Sequence, residues 1–285
     1  MSPAAVSQQS FGSKVGRWFG RNAIRIYAAL AFTYLFIPVA YTLVFSFNNS
    51  GRSNYSWQGF TLDKWKNPCG APDVCPALAT SLKVGILATA IATVLGTMIA
   101  FALARHRFHG RTTTNLTIFL PMATPEVVMG ASLLTLFVAT VLPPLRGTAP
   151  ALYPTGFLTI LIAHVMFNIS YVVVTVKARL AGFDRRLEEA AMDLGANEWT
   201  TFWRVTFPLI LPGILAAALL AFSLSIDDFV ITSFVSGTTN TFPILVYSIQ
   251  KNALPVQINV IGSVIFFAAV GVVAVTTLVQ ARRSR

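Results

Sequence analysis

Three acidic side chains of this 285-residue chain, Glu126, Asp227 and Asp228, fall inside long apolar stretches. A charge at mid-bilayer costs about 2.5–3.5 kcal/mol even on insertion scales, so such residues face a cavity or a partner. An ionised carboxylate is an acceptor only, and the chemistry it offers at depth is the holding of a cation. Counted at 1.5 Å per residue, Glu126 lies about 16 Å from Asn115 and Asp227 about 20 Å from Ile214, so both reach a similar depth. Pro121 and Pro125, just before Glu126, remove backbone donors, and irregular backbone at depth is tolerated where it lines protein or a water-filled path. Adjacent helical residues point about 100° apart, so Asp227 and Asp228 do not face the same line, and one of them serves structure. The competing expectation for all three is internal pairing, with Lys83 or with Ser225, Thr232 or Ser233.

The elements that must position these groups are membrane helices. The chain is 55% hydrophobic and 11% charged, against roughly 25% charged in an ordinary soluble domain. Crossing ~30 Å of hydrocarbon takes about 20 apolar residues in a helix. Six stretches qualify: Ile24 to Phe47, Ser81 to Ala104, Leu116 to Leu142, Phe157 to Val176, Ile214 to Val235 and Ile258 to Val279. The third is interrupted by prolines. The expected fold is all-α, with six spans flanked by tails at 1–23 and 281–285. The N-terminal apolar run exceeds the core of a cleaved signal peptide and is expected to be retained.

Lys and Arg set the orientation. With the N-terminus inside, the clusters around Arg17, Arg105, Lys177, Arg185 and Arg282 are all cytoplasmic, and Arg52, Lys64, Lys66, Arg146 and Lys251 remain outside. Both termini are then cytoplasmic. The net charge of +11 is spread over short inter-helix clusters, which fits membrane topology and argues against nucleic acid.

Cys69 and Cys75 lie in the largest outside loop, where a bond is permitted and two free thiols are the alternative. No cysteine and histidine set has the spacing of a metal site. His106 and His109 sit among arginines, and His164, within the fourth stretch, is read as a helix-packing hydrogen bonder. Trp57 and Trp65 read as interfacial anchors, with contact to a partner protein outside the membrane as the alternative. The chain has neither a phosphate-binding G-x-x-x-x-G-K-[ST] loop nor a G-x-S-x-G elbow, so it is expected to be non-catalytic and to bind no cofactor.

Between the fourth and fifth stretches, Asp184 to Pro212 is too polar to span yet strongly helix-forming. Asp184 caps a first short helix through Leu194, Gly195 ends it, and Asn197 caps a second running to about Phe207, before Pro208. Within this segment Glu189, Ala190 and Ala191 are followed after three residues by Gly195, and after nine more by Val205, Thr206, Phe207 and Pro208. This resembles the EAA loop of ABC-importer permeases, departing from it by Val205 and Phe207 for two aliphatics. Small Ala190 and Ala191 permit close approach, Gly195 permits a left-handed turn, and Glu189 offers a charge to a docking base.

The stretch from Ser223 to Gly237, with Thr124 to Gly130, is similar to spermidine/putrescine importer permeases of the second, C-type kind. The resemblance implies a type I importer permease domain over 24–280 with its coupling loop at 181–208. It further implies a homologous second permease, two ATP-binding subunits that hold ATP and Mg, and an extracytoplasmic substrate-binding protein. Glu126, Asp227 and Asp228 would line the substrate pathway, and Glu189, Ala190, Ala191, Gly195 and Pro208 would meet the ATPase. The expected location is a bacterial inner membrane. Two alternatives stay open: the same machine with another solute, and an ion-driven carrier that needs no ATPase.

Overall fold

The computed structural model describes residues 11–51, 53–141, 155–250 and 254–283. Expectations resting on Arg52, Leu142, Arg146, Lys251 and Arg285, and the ends of both expected tails, lie outside these residues. The described chain is helical: α1 (Phe11–Phe45), α2 (Asp63–Lys66), α3 (Val74–Arg105), α4 (Arg111–Ala123), α5 (Glu126–Val141), α6 (Phe157–Ala181), α7 (Arg186–Asp193), α8 (Glu198–Thr201), α9 (Phe207–Asp227), α10 (Val230–Val235), α11 (Phe242–Ile249) and α12 (Val256–Arg283). A π-helical stretch, Phe202–Thr206, joins α8 to α9. Five helices among the described residues are long and apolar enough to cross a membrane, or six when α4 and α5 are taken as one broken span.

Two compact units emerge. In the first, α1 packs on α12 and α2 also rests on α12. The loop after α1 is closed by Asn48, whose Nδ2 donates to Asn54 Oδ1 at 2.7 Å and whose Oδ1 accepts from the Gln58 amide at 2.7 Å. Both asparagines are fully buried, as polar groups with complete partners can be. Trp65 stacks on Phe47 and donates to Ser46 Oγ, so it packs within this loop.

The second unit is built on α3, α6 and α9, with α4, α5, α10 and α11 around them. Lipid offers little hydrophobic drive between helices, so close packing of small residues must hold them. On α3, Gly85, Ala88, Ala92, Gly96 and Ala100 form a buried stripe. A Cβ on Gly96 would lie 2.7 Å from Val172 of α6, and one on Gly85 would lie 3.2 Å from Phe222 of α9. Val172, Val173, Val176, Ile210, Ile214 and Ala217 fill the space against that stripe. A second cluster, with Met129, Leu133, Ile160, Phe167, Ile231 and Val235, joins α5, α6 and α10.

Three expectations about the spans change. The third stretch is two helices, α4 and α5, bent by 109°. The break falls at Thr124, whose extended backbone (φ −81, ψ 132) is what the residue before Pro125 prefers. Pro121 stays inside α4, so one of the two prolines makes the bend.

The fifth span begins at Glu198 rather than Ile214, and runs without a break to Asp227. Pro208 does not end the second short helix, as its local sequence suggests; the helix passes through it. In the π-stretch, the Phe207 amide bonds the carbonyl of Phe202 five residues back. This wider turn accommodates the missing donor and ring of Pro208 at the start of α9. The same span then stops at Asp228, and Val230–Val235 forms a separate short helix. Finally, α1 starts at Phe11, inside the expected N-terminal tail, and α3 starts at Val74, so Cys75 belongs to a helix rather than to the outside loop. Both cysteines, Cys69 and Cys75, are disulfide-bonded.

Candidate functional site

The loop between α6 and α9 forms as its residues suggest. Asp184 Oδ1 accepts the Arg186 amide at 3.0 Å at the start of α7. At the other end the Ala196 amide bonds Ala191 O (3.1 Å) and the Gly195 amide bonds Met192 O (2.9 Å). This paired closure is a Schellman motif, and it needs a left-handed residue at Gly195, whose φ is +88. Asn197 Oδ1 accepts the Thr200 amide at 2.8 Å and caps α8. Glu189 and Ala190 are exposed, and Ala191 is half-buried. Beside them Leu194 is 90% and Trp199 70% exposed, and the Trp199 ring meets Trp203 edge-on at 5.6 Å.

One residue of this loop escaped the sequence reading. Glu188, not Glu189, turns inward. Its carboxylate takes both guanidinium nitrogens of Arg105 at the end of α3, one at 2.7 Å, and also accepts the hydroxyl of Thr206. The available signal was angular and partial: neighbours on a helix diverge by about 100°, so the two glutamates do not share a direction.

The three carboxylates of the apolar stretches come together. Glu126, Asp227 and Asp228 all line one cavity of about 570 Å³, with Pro121, Pro125, Phe167, Tyr171 and Phe229. Their settings differ. Glu126 opens α5, where the helix N-terminus favours an anion. Asp227 is the last residue of α9, the end where the helix dipole disfavours one. Both are exposed to the cavity, and neither has an ion-pair partner among the described residues.

Asp228 is the structural member of the pair. Its carboxylate accepts the Thr232 amide at 2.8 Å, the Thr232 hydroxyl at 2.6 Å and, at 3.4 Å, the Ile231 amide, so it caps α10 across the break. Its side chain is 7% exposed and lies 3.4 Å from Nε2 of the buried His164. His164 Nε2 also sits 2.9 Å from Thr232 Oγ1. The Thr232 proton is committed to Asp228, so Nε2 of His164 must be the donor in that contact. The expectation that His164 serves helix packing agrees with this geometry. Lys83 takes no part: the ion pairs of the described residues do not include it. Ser225, another partner considered, bonds Asn168 instead at 2.7 Å.

A bundle of spanning helices with a broken helix and paired carboxylates at one cavity, and a two-helix loop exposing an apolar surface, defines a multi-spanning transport protein. The chain belongs to the family of binding-protein-dependent transport system inner membrane components, whose family model matches residues 92–282. It is 33% identical, over 95% of its length and all of the relative's, to the spermidine/putrescine transport system permease protein PotC of Haemophilus influenzae. To PotC of Escherichia coli K12 it is 34% identical, covering 89% of this chain and 92% of that one. To the putrescine transport system permease protein PotI of the same strain it is 39% identical over 90% of each chain.

Solved structures agree on the fold. A chain of a bacterial ABC transporter in complex with an alginate pentasaccharide-bound periplasmic protein matches with a TM-score of 0.63, at 17% identity, over 92% of this chain and 94% of that one. A chain of the MetNI methionine ABC transporter matches with a TM-score of 0.57, at 14% identity, over 73% and 95%. The protein is therefore a multi-pass inner-membrane permease of an ABC importer, a transport component and not an enzyme.

Proposed function

We propose that this permease carries polyamines, with Glu126 and Asp227 as the carboxylates that meet the cargo. The observation that carries this reading is the shared cavity in which these two acids face open space without a protein cation among the described residues. A polyamine at neutral pH is a flexible chain of ammonium groups joined by methylenes. Ionised carboxylates would balance its charges, while Tyr171 and Phe229 offer apolar surface and π faces to both its methylenes and its cations. A sugar route would call for amides, and none among the described residues lines this cavity. The names of the relatives, PotC and PotI, support the same cargo. The fold does not choose among solutes, because the structural neighbours come from importers of alginate and methionine.

In this reading a homologous second permease completes the pathway, and an extracytoplasmic binding protein delivers the cargo. Two partner subunits bind ATP and Mg and dock on the α7–α8 loop at the cytoplasmic face, against Glu189, Ala190, Ala191 and the turn at Gly195. Their closure turns the bundle from one access to the other. Pro208 acts from within the helix that leaves the loop. The family membership sets aside the ion-driven carrier.

The test is labelled spermidine uptake by cells lacking the gene, restored with wild type or Asp227→Asn, with putrescine, sugars and amino acids as competitors. Restored uptake that polyamines alone inhibit, and a loss of about tenfold in the variant, is the expected result; a hydrogen bond to a charged group is worth about 1.5–3 kcal/mol. Uptake indifferent to the gene would discard the polyamine assignment.

A further inference from the structure

The helix α7 buries none of its residues, so packing alone does not hold it against the bundle. What holds it is polar. Glu188 receives a two-pronged bond from Arg105, which is 83 residues away in sequence, with the two side chains 20% and 16% exposed in the order Arg105, Glu188. The Arg105 guanidinium lies 5.4 Å from the ring centroid of Phe183, and Thr206, 2% exposed and in the π-stretch, adds its hydroxyl to Glu188. Close by, the Phe101 ring of α3 meets Phe202 of the π-stretch edge-on at 5.6 Å. Three elements thus meet at one carboxylate: the end of α3, α7, and the turn that opens onto α9.

We propose that Glu188, gripped by Arg105 and Thr206, is the joint that makes the loop and the two spanning helices α3 and α9 move as one body when the partner ATPases pull. Glu188 is a positioning residue, acting through α7 on the helices that lead to the cavity. The inference rests on the importer reading of the loop, and not on the choice of cargo. Planar, bidentate pairing resists rotation in a way that a single hydrogen bond does not. With the pair absent, α7 would keep its contacts with α8 and the π-stretch and the single bond from Arg185 to the Ala104 carbonyl at 3.3 Å, and a pull on the loop would be spent on bending it.

The experiment uses the reconstituted complex of both permeases and both ATPase subunits, with spin labels at His106→Cys and Asp193→Cys. The native cysteines are disulfide-bonded and do not take label. In the wild-type background the distance distribution between labels is expected to be narrow and the same without nucleotide and with ATP and Mg. Glu188→Gln broadens it, and the exchange Arg105→Glu with Glu188→Arg narrows it again, Thr206 then accepting from the arginine. In parallel, ATP hydrolysed per spermidine transported in proteoliposomes rises by at least about fivefold in Glu188→Gln, the low end of ordinary coupling between sites. The exchanged pair brings that ratio back toward wild type.

A purely structural pair would lower the yield of assembled complex and leave this ratio unchanged, which would overturn the proposal. So would a Glu188→Gln distribution as narrow as wild type, or an exchange that restores neither readout. If Glu188→Gln does not assemble, Thr206→Val, which keeps both charges, takes its place with the same expectations in smaller measure. A wild-type complex that keeps the narrow, nucleotide-independent distribution yet takes up no polyamine would overturn the cargo reading and support the joint.

Discussion

The α6–α9 loop and the cavity beneath the α4–α5 break both hold acidic side chains, and they treat them in opposite ways. In the loop, Glu188 is locked by an arginine and a threonine while Glu189 is left exposed. At the cavity, Asp228 is bonded to its own short helix and to the neighbourhood of His164, while Glu126 and Asp227 face open space. Each region divides its carboxylates between one that builds the structure and one or two that stay available. In α7 the two adjacent glutamates diverge by about 100°; at the cavity the chain leaves the helix at Asp228, whose extended backbone turns its carboxylate toward α10. What differs is the environment: the loop's free acid stands outside the apolar spans at little cost, whereas the cavity's free acids lie within them, where a charge is tolerated by a water-filled cavity or a cationic partner.

The largest effect expected from breaking this contrast lies at the turn. Gly195 has nothing within 4 Å of where a Cβ would stand, yet its φ is +88, so the obstacle to a side chain is backbone conformation and not crowding. Gly195→Leu is expected to abolish uptake while membrane insertion and protein level persist; full uptake by the variant would show that the turn is dispensable. Next comes Asp228→Asn, which should behave unlike Asp227→Asn. Weakening the α10 cap should cost about 1 kcal/mol and lower the melting temperature in detergent, with uptake per folded molecule retained. A loss of uptake at unchanged melting temperature would instead place Asp228 among the groups that meet the cargo. The smallest effect is expected from Asn197→Ala, which removes the α8 cap at a cost of about 1 kcal/mol. Hydrogen exchange at the Thr200 amide should quicken by about fivefold, with uptake barely altered; unchanged exchange would mean that tertiary packing, not the cap, holds α8.

Much of this could be read from the residues. Apolar length located the spans, and the caps at Asp184 and Asn197 and the turn at Gly195 follow from local rules that act over a few residues. Three acids within apolar stretches marked a candidate cavity, but the depth count did not fix their meeting, because the fifth span begins at Glu198 and the third stretch bends at Thr124. What escaped the sequence depended on contacts between distant segments or on a balance between local rules. Glu188 finds Arg105 only because α3 and α7 are brought together, and in the sequence Arg105 is one positive charge among many. Pro208 reads locally as a stop, but the bonding of the Phe207 amide to Phe202 O lets the helix continue. Pro125, with equal local weight, does bend the chain, because Thr124 takes the extended backbone that ends α4.

That continuity through Pro208 sets a rotational phase. An i→i+5 turn holds one residue more than an α-turn, so the π-stretch at Phe202–Thr206 advances every later side chain of the helix by one step, about 100° in azimuth. Asp227 points where it does partly because of a detour about 20 residues earlier in the same helix. Along the span from Glu198 to Asp227, the turn beside the loop thus sets the compass direction in which the carboxylate at the cavity points.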